Sequence, residues 1–150
     1  MQPAVATLEQ LAGTLSPHDP STLLLSNAIP IDNISFVKYN ALRIVNLERS
    51  QARFGLQDII YSTGLLDYIS DEPLIAMLQT LYHLLEPGGT LIAPFKDRRA
   101  FNTNYGQWLC KWDALILRTE ECVDELFARA GIPAASIRKT RERTGTIIFY

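Results

Sequence analysis

The chain has 150 residues, of which 47% are hydrophobic and 20% charged, and a formal net charge of −2. That length fits one domain able to bury roughly two-thirds of its unfolded surface. The charge balance argues against a general nucleic-acid binder, whose affinity rests on clustered phosphate contacts, and no apolar run is long enough to span a bilayer, so no membrane partner is expected.

The N-terminal stretch MQPAVATLEQLAG has neither a basic segment nor a continuous apolar run, which points to the cytoplasm. Val5, Leu8, Leu11, Ala12 and Leu15 recur at helical spacing, predicting an amphipathic helix from Pro3 to Leu15. Ser16-Pro17-His18-Asp19-Pro20 breaks it, since each proline disfavours helix in the residue before it. Two strands are predicted next, an apolar one over Ser21–Ser26 and an alternating one over Ile34–Tyr39. Asn40 then suits the N-cap of a short helix starting at Ala41.

From Gln57 to Lys96 the pattern is strand, loop, helix, turn, strand, a βαβ unit. Asp58-Ile59-Ile60-Tyr61 is a short run without alternation, as in a buried parallel strand, and Ser62-Thr63-Gly64 ends it. Leu74, Met77, Leu78, Leu81 and Leu85 form one apolar stripe of a helix, Pro87-Gly88-Gly89 stops that helix, and Thr90–Phe95 returns as a strand.

Lys96 to Tyr105 is a polar and aromatic loop, followed by Trp108, Leu109 and Trp112 in a short amphipathic turn. The two tryptophans read as core or lid packing, with a substrate box as the rival. Thr119 is placed to cap a helix whose early acids, Glu120 and Glu121, favour its dipole. Cys122, Val123, Leu126, Phe127 and Ala130 give its buried stripe, and Gly131 ends it. Ala135–Thr140 and Thr146–Tyr150 then form a hairpin around Gly145.

Cys110 and Cys122 form no CxxC pair and read as reduced structural thiols, and with His18 and His83 they assemble no metal site. Arg138, Lys139, Arg141 and Arg143 cluster near the C-terminus, as a solvated hairpin or, less simply, a phosphate site.

The order of elements, with the segments DIIYSTGLLDYISD and LLEPGGTLIAPF, resembles the class I S-adenosylmethionine-dependent methyltransferases. The resemblance covers about residues 4 to 150 and implies an α/β, Rossmann-like methyltransferase fold. Its sheet is mostly parallel, with a C-terminal antiparallel hairpin. The segment Trp112–Glu121 is further similar to a bacterial subgroup associated with fatty-acid methyl ester biosynthesis.

Carried onto this chain, the resemblance implies S-adenosylmethionine as cofactor, with Asn40 and Ala41 at the end of the third strand beside its adenine. Tyr61, Ser62, Thr63 and Gly64 would lie at the methionine end and the transfer site. Asp67, Tyr68 and Asn104 are candidates to contact a small-molecule substrate, with His83 a further candidate to orient it. Each has a plainer reading: Asn40 as a helix cap, Ser62-Thr63-Gly64 as an ordinary turn, Asp67 as a cap or a solvated acid.

The family's first strand and its GxGxG loop are missing, and Leu23-Leu24-Leu25-Ser26-Asn27 stands where an acid usually holds the ribose. The expected domain is therefore truncated, lacking the first strand, with strand edges that invite a homo-oligomer or a strand-donating partner. Two functions follow from the resemblance. One is methyl transfer to an oxygen or carboxylate acceptor; the other is a non-catalytic remnant or fragment that binds a partner or ligand.

Overall fold

A computed structural model of the chain describes residues 35–102 and 114–150. The helix expected over Pro3–Leu15, the strand over Ser21–Ser26, and Asn27, Asn104, Trp108, Cys110 and Trp112 lie outside these residues. The chain divides into two units, Met1–Lys38 and Tyr39–Tyr150, and the elements below belong to the second.

Two asparagines open it. Asn40 Oδ1 accepts from the Leu42 N–H at 3.1 Å and starts a 3-10 turn over Ala41–Val45. Asn46 Oδ1 accepts from the Arg49 N–H at 2.9 Å and caps α1 (Leu47–Phe54), which Gly55 closes at φ 69. The alternating stretch before Asn40 forms no strand: Ser35–Tyr39 is irregular, so Asn40 and Ala41 do not follow a strand end. Alternation favours a strand only where a neighbouring strand takes up the backbone groups, and none does so among the described residues.

β1 (Gln57–Tyr61) pairs in parallel with β2 (Leu85–Ile92), and α2 (Asp71–His83) connects them. Leu74, Met77, Leu78 and Leu81 are buried along α2 as their spacing predicts. Leu85 is not on that stripe. The helix ends at His83 and Leu85 already pairs with Gln57, so Pro87-Gly88-Gly89 interrupts a strand rather than stopping a helix. The register runs from Gln57↔Leu85 to Ile59↔Thr90, which makes the Pro-Gly-Gly segment a bulge. Gly89 sits hard against the neighbouring backbone there: a Cβ would lie 2.9 Å from the Gln57 carbonyl oxygen.

β1 is also less buried than its composition suggests. Ile59 and Tyr61 are 63% and 73% exposed, and only Ile60 of the apolar run packs on the core.

The returning strand splits at Ala93. β3 (Pro94–Lys96) leaves β1 and pairs antiparallel with β5 (Ile147–Phe149), whose other edge takes β4 (Thr140–Arg141). The terminal hairpin is thus present, but its first arm is short, since Ala134–Ser136 is a 3-10 turn. α3 (Glu120–Arg129) begins at the Thr119 cap and buries Val123, Leu126 and Phe127, while Cys122 is exposed and leaves the expected stripe. Where β3, β5 and α3 meet, Phe127 stacks on Tyr150 at 5.2 Å and Phe95 meets Tyr150 edge-on at 5.8 Å.

Candidate functional site

Tyr61 ends β1, and Gly64, at φ 66, turns the chain away from the sheet. Ser62 still belongs to the ladder through its N–H, which donates to the Ile92 carbonyl at 3.1 Å. Its side chain lines a cavity of about 340 Å³ with Ala41, Ile44, Ile60, Tyr61, Thr63, Leu65, Leu66, Met77 and Leu81. The wall is mostly apolar, with hydroxyl-bearing Tyr61, Ser62 and Thr63 among its residues. Ser62 Oγ is buried and has no hydrogen-bond partner among the described residues, which marks it as a group able to receive one from a ligand.

Four residues expected at the cofactor, Ala41, Tyr61, Ser62 and Thr63, therefore meet at one cavity although Ala41 lies far from the others in sequence. Asn40 and Gly64 are not among its walls; Asn40 spends its side chain on the cap.

Asp67 sits in a 3-10 turn, Leu66–Tyr68, and is 2% exposed. Lys96 Nζ donates to its Oδ2 at 3.0 Å and the Lys96 N–H to its Oδ1 at 3.3 Å. Both carboxylate oxygens are engaged, and Asp67 does not line the cavity. Tyr68 is exposed beside it. His83 lines a wider groove of about 980 Å³.

The residue that organises this loop is Arg118, which sequence reasoning did not single out. It is 5% exposed and its Nη2 donates to the Ile69 carbonyl at 2.6 Å and to Asp71 Oδ1 at 2.7 Å. It thereby ties the loop after β1 to the first turn of α2. An arginine between the apolar Leu115-Ile116-Leu117 and a helix cap was the available signal.

Two members of the C-terminal basic cluster are paired with acids distant in sequence. Lys139 pairs with Asp124 at 2.6 Å and Glu120 at 3.0 Å, and Arg141 with Asp97 at 2.7 Å. Asp97 is held below the ordinary carboxylate range, first by the Arg99 N–H at 3.0 Å and also by Arg141, against the opposing effect of its burial. Among the described residues no group of three His, Cys, Asp or Glu side chains could hold a metal ion, and no helix is long and apolar enough to cross a membrane.

Fold and cavity together define a mixed α/β domain with a cleft beyond the C-terminal end of a parallel strand, where open α/β sheets bind ligands. No protein-family model and no curated protein matches the chain. Solved structures do match. A possible exported protein from Bordetella parapertussis superposes with a TM-score of 0.64 at 18% identity, over 88% of this chain and 49% of that one. PigF with SAH superposes with a TM-score of 0.55 at 16% identity, over 86% of this chain and 38% of that one. The chain thus spans about half, or less, of the length of these neighbours. At such identities the likeness is one of fold alone, a mixed α/β architecture with a small parallel sheet and an antiparallel one.

Proposed function

We propose that the cavity behind Ser62 receives the sulfur-bearing methionine end of an S-adenosyl cofactor, in a domain related to methyl transfer onto an oxygen or carboxylate acceptor. The observation that carries this reading is the unpartnered, buried Ser62 hydroxyl in an apolar cavity at the end of a parallel strand. The fold neighbour PigF with SAH supports the choice of ligand. Bound there, the sulfonium donor would supply an electrophilic methyl group. The chain's contribution is to position it: Ile44, Ile60 and Leu65 shield it from water, and the buried Ser62 hydroxyl offers a hydrogen bond. Transfers of this kind depend mainly on holding donor and acceptor in line, so the absence of an acid-base pair among the cavity walls does not oppose the reading.

The same walls favour a second reading. They include no carboxylate to hold a ribose, and Asp67 is already committed to Lys96. The fit is to part of the cofactor, and a binding module without catalysis would need no more. Isothermal titration with S-adenosylmethionine and S-adenosylhomocysteine tests both. Micromolar binding lost in Ser62→Ala supports the transferase reading. Weak binding of both ligands without turnover supports the binding module, and no heat at millimolar ligand removes the cofactor from either.

A further inference from the structure

The cavity behind Ser62 has two kinds of wall. Leu66, Met77 and Leu81 belong to the buried core, whereas Ala41 and Ile44 come from the 3-10 turn Ala41–Val45, in which no residue is fully buried. Leu42 and Val45 of that turn are exposed. Burial of apolar surface therefore does little to hold this wall in place.

Two hydroxyls hold it instead. Ser50 Oγ, on α1, donates to the Ile44 carbonyl at 2.9 Å, and Thr80 Oγ1, on α2, donates to the Val45 carbonyl at 3.3 Å. Ser50 is fully buried and Thr80 is 4% exposed, so each hydroxyl has given up water for its carbonyl. Ser50 ties the turn only to the helix that follows it. Thr80, 35 residues away, ties it to α2, between Met77 and Leu81 of the facing wall.

Thr80 has one proton and two acceptors, the second being the Ala76 carbonyl at 3.0 Å, one turn back in α2. As a mid-helix group, that carbonyl already has a place in the helix ladder. Among the described residues the Val45 carbonyl has no other donor. Losing the Thr80 hydroxyl therefore leaves Val45, and not Ala76, without a partner.

We propose that Thr80 is a positioning residue of this cavity: it is not one of the walls, and through the Val45 carbonyl it fixes how Ala41 and Ile44 stand against Met77 and Leu81. Its bearing on ligand binding rests on the reading of the cavity as the S-adenosyl site.

The test compares the full wild-type chain with Thr80→Val, which keeps the β-branched shape and removes the donor, and Thr80→Ser, which keeps the donor. It is run at a temperature where circular dichroism shows all three folded. S-adenosylhomocysteine is expected to bind Thr80→Val about ten-fold more weakly, and Thr80→Ser within about two-fold of wild type. Trypsin cleavage after the exposed Arg43, inside the turn, is measured relative to cleavage after Arg143 in the terminal hairpin. That ratio is expected to rise about five-fold in Thr80→Val and to stay unchanged in Thr80→Ser. A residue serving stability alone would lower the melting temperature and move neither readout. Equal trypsin ratios in wild type and Thr80→Val overturn the proposal, as does equal ligand binding, or a Thr80→Ser as impaired as Thr80→Val. If the wild type binds no S-adenosylhomocysteine at millimolar concentration, the cofactor reading falls by itself. The trypsin ratio then decides whether Thr80 holds the wall: a rise in Thr80→Val alone sustains it, and no rise overturns it.

Discussion

Asp67 Oδ2 and Lys96 Nζ meet at 3.0 Å with side chains only 3% and 14% exposed, so the loop after β1 is pinned to β3 by a nearly buried ion pair. Removing one partner of such a pair strands the other charge out of water. Lys96→Met is expected to cost about 3 kcal/mol of unfolding free energy, read from urea denaturation. If Asp67 instead served a substrate, Asp67→Asn would alter ligand affinity and leave stability nearly unchanged.

Arg118 makes two bonds to one carboxylate oxygen of Asp71, through Nε at 3.0 Å and Nη2 at 2.7 Å, and a third to the Ile69 carbonyl. Lysine can keep the charge but not this fork. Arg118→Lys is therefore expected to lose about 2 kcal/mol, with the Ile69 and Asp71 segment becoming the first to exchange its amides. An unchanged melting temperature would count against Arg118 as the tie between loop and helix.

Gly88 and Gly89 are neighbours in one bulge and should fail for different reasons. Gly89→Ala drives a methyl group against three backbone oxygens, those of Gln57, Glu86 and Asp58, at 2.9, 3.0 and 3.1 Å. Backbone cannot step aside as a side chain can, and a loss of about 2–3 kcal/mol is expected. Gly88 has φ 86 with open space around it, so Gly88→Ala costs only the left-handed conformation, about 1 kcal/mol. Equal losses in thermal melts would contradict this division.

Asp97 carries a pH dependence whose sign is fixed by its partners. Its folded pKa is depressed by the Arg99 N–H and by Arg141. The stabilisation is thus complete above the ordinary carboxylate pKa and is lost as pH falls through the lowered folded value. Asp97→Asn should flatten the acid limb of stability below about pH 4 while lowering stability at neutral pH. Parallel acid limbs for the two proteins would exclude Asp97 as a source of the acid sensitivity.

Ser62→Ala separates stability from function. Deleting a buried hydroxyl with no partner relieves its desolvation, so the variant is expected to be more stable by about 1 kcal/mol. The same change should weaken binding of S-adenosylhomocysteine. A loss of stability instead would mean that the hydroxyl already has a partner in solution.

Local chemistry was legible in the sequence wherever a residue acts on its own neighbourhood. The caps at Asn40 and Thr119, the stripe from Leu74 to Leu81, the stop at Gly131 and the hairpin around Gly145 each depend on groups within a turn or two. Family resemblance implied a shared cofactor for Ala41, Tyr61, Ser62 and Thr63, and it took the fold to place these four residues around one cavity. Tertiary structure alone decided the rest. Asp67 found Lys96, Arg118 found Asp71, and Arg141 found Asp97 across separations that no local pattern encodes. The strand expected before Asn40 did not form because a strand is half of a pair. The fate of each charge and each strand edge depends on what the fold brings beside it, and burial strengthens those encounters by removing the water that would otherwise compete.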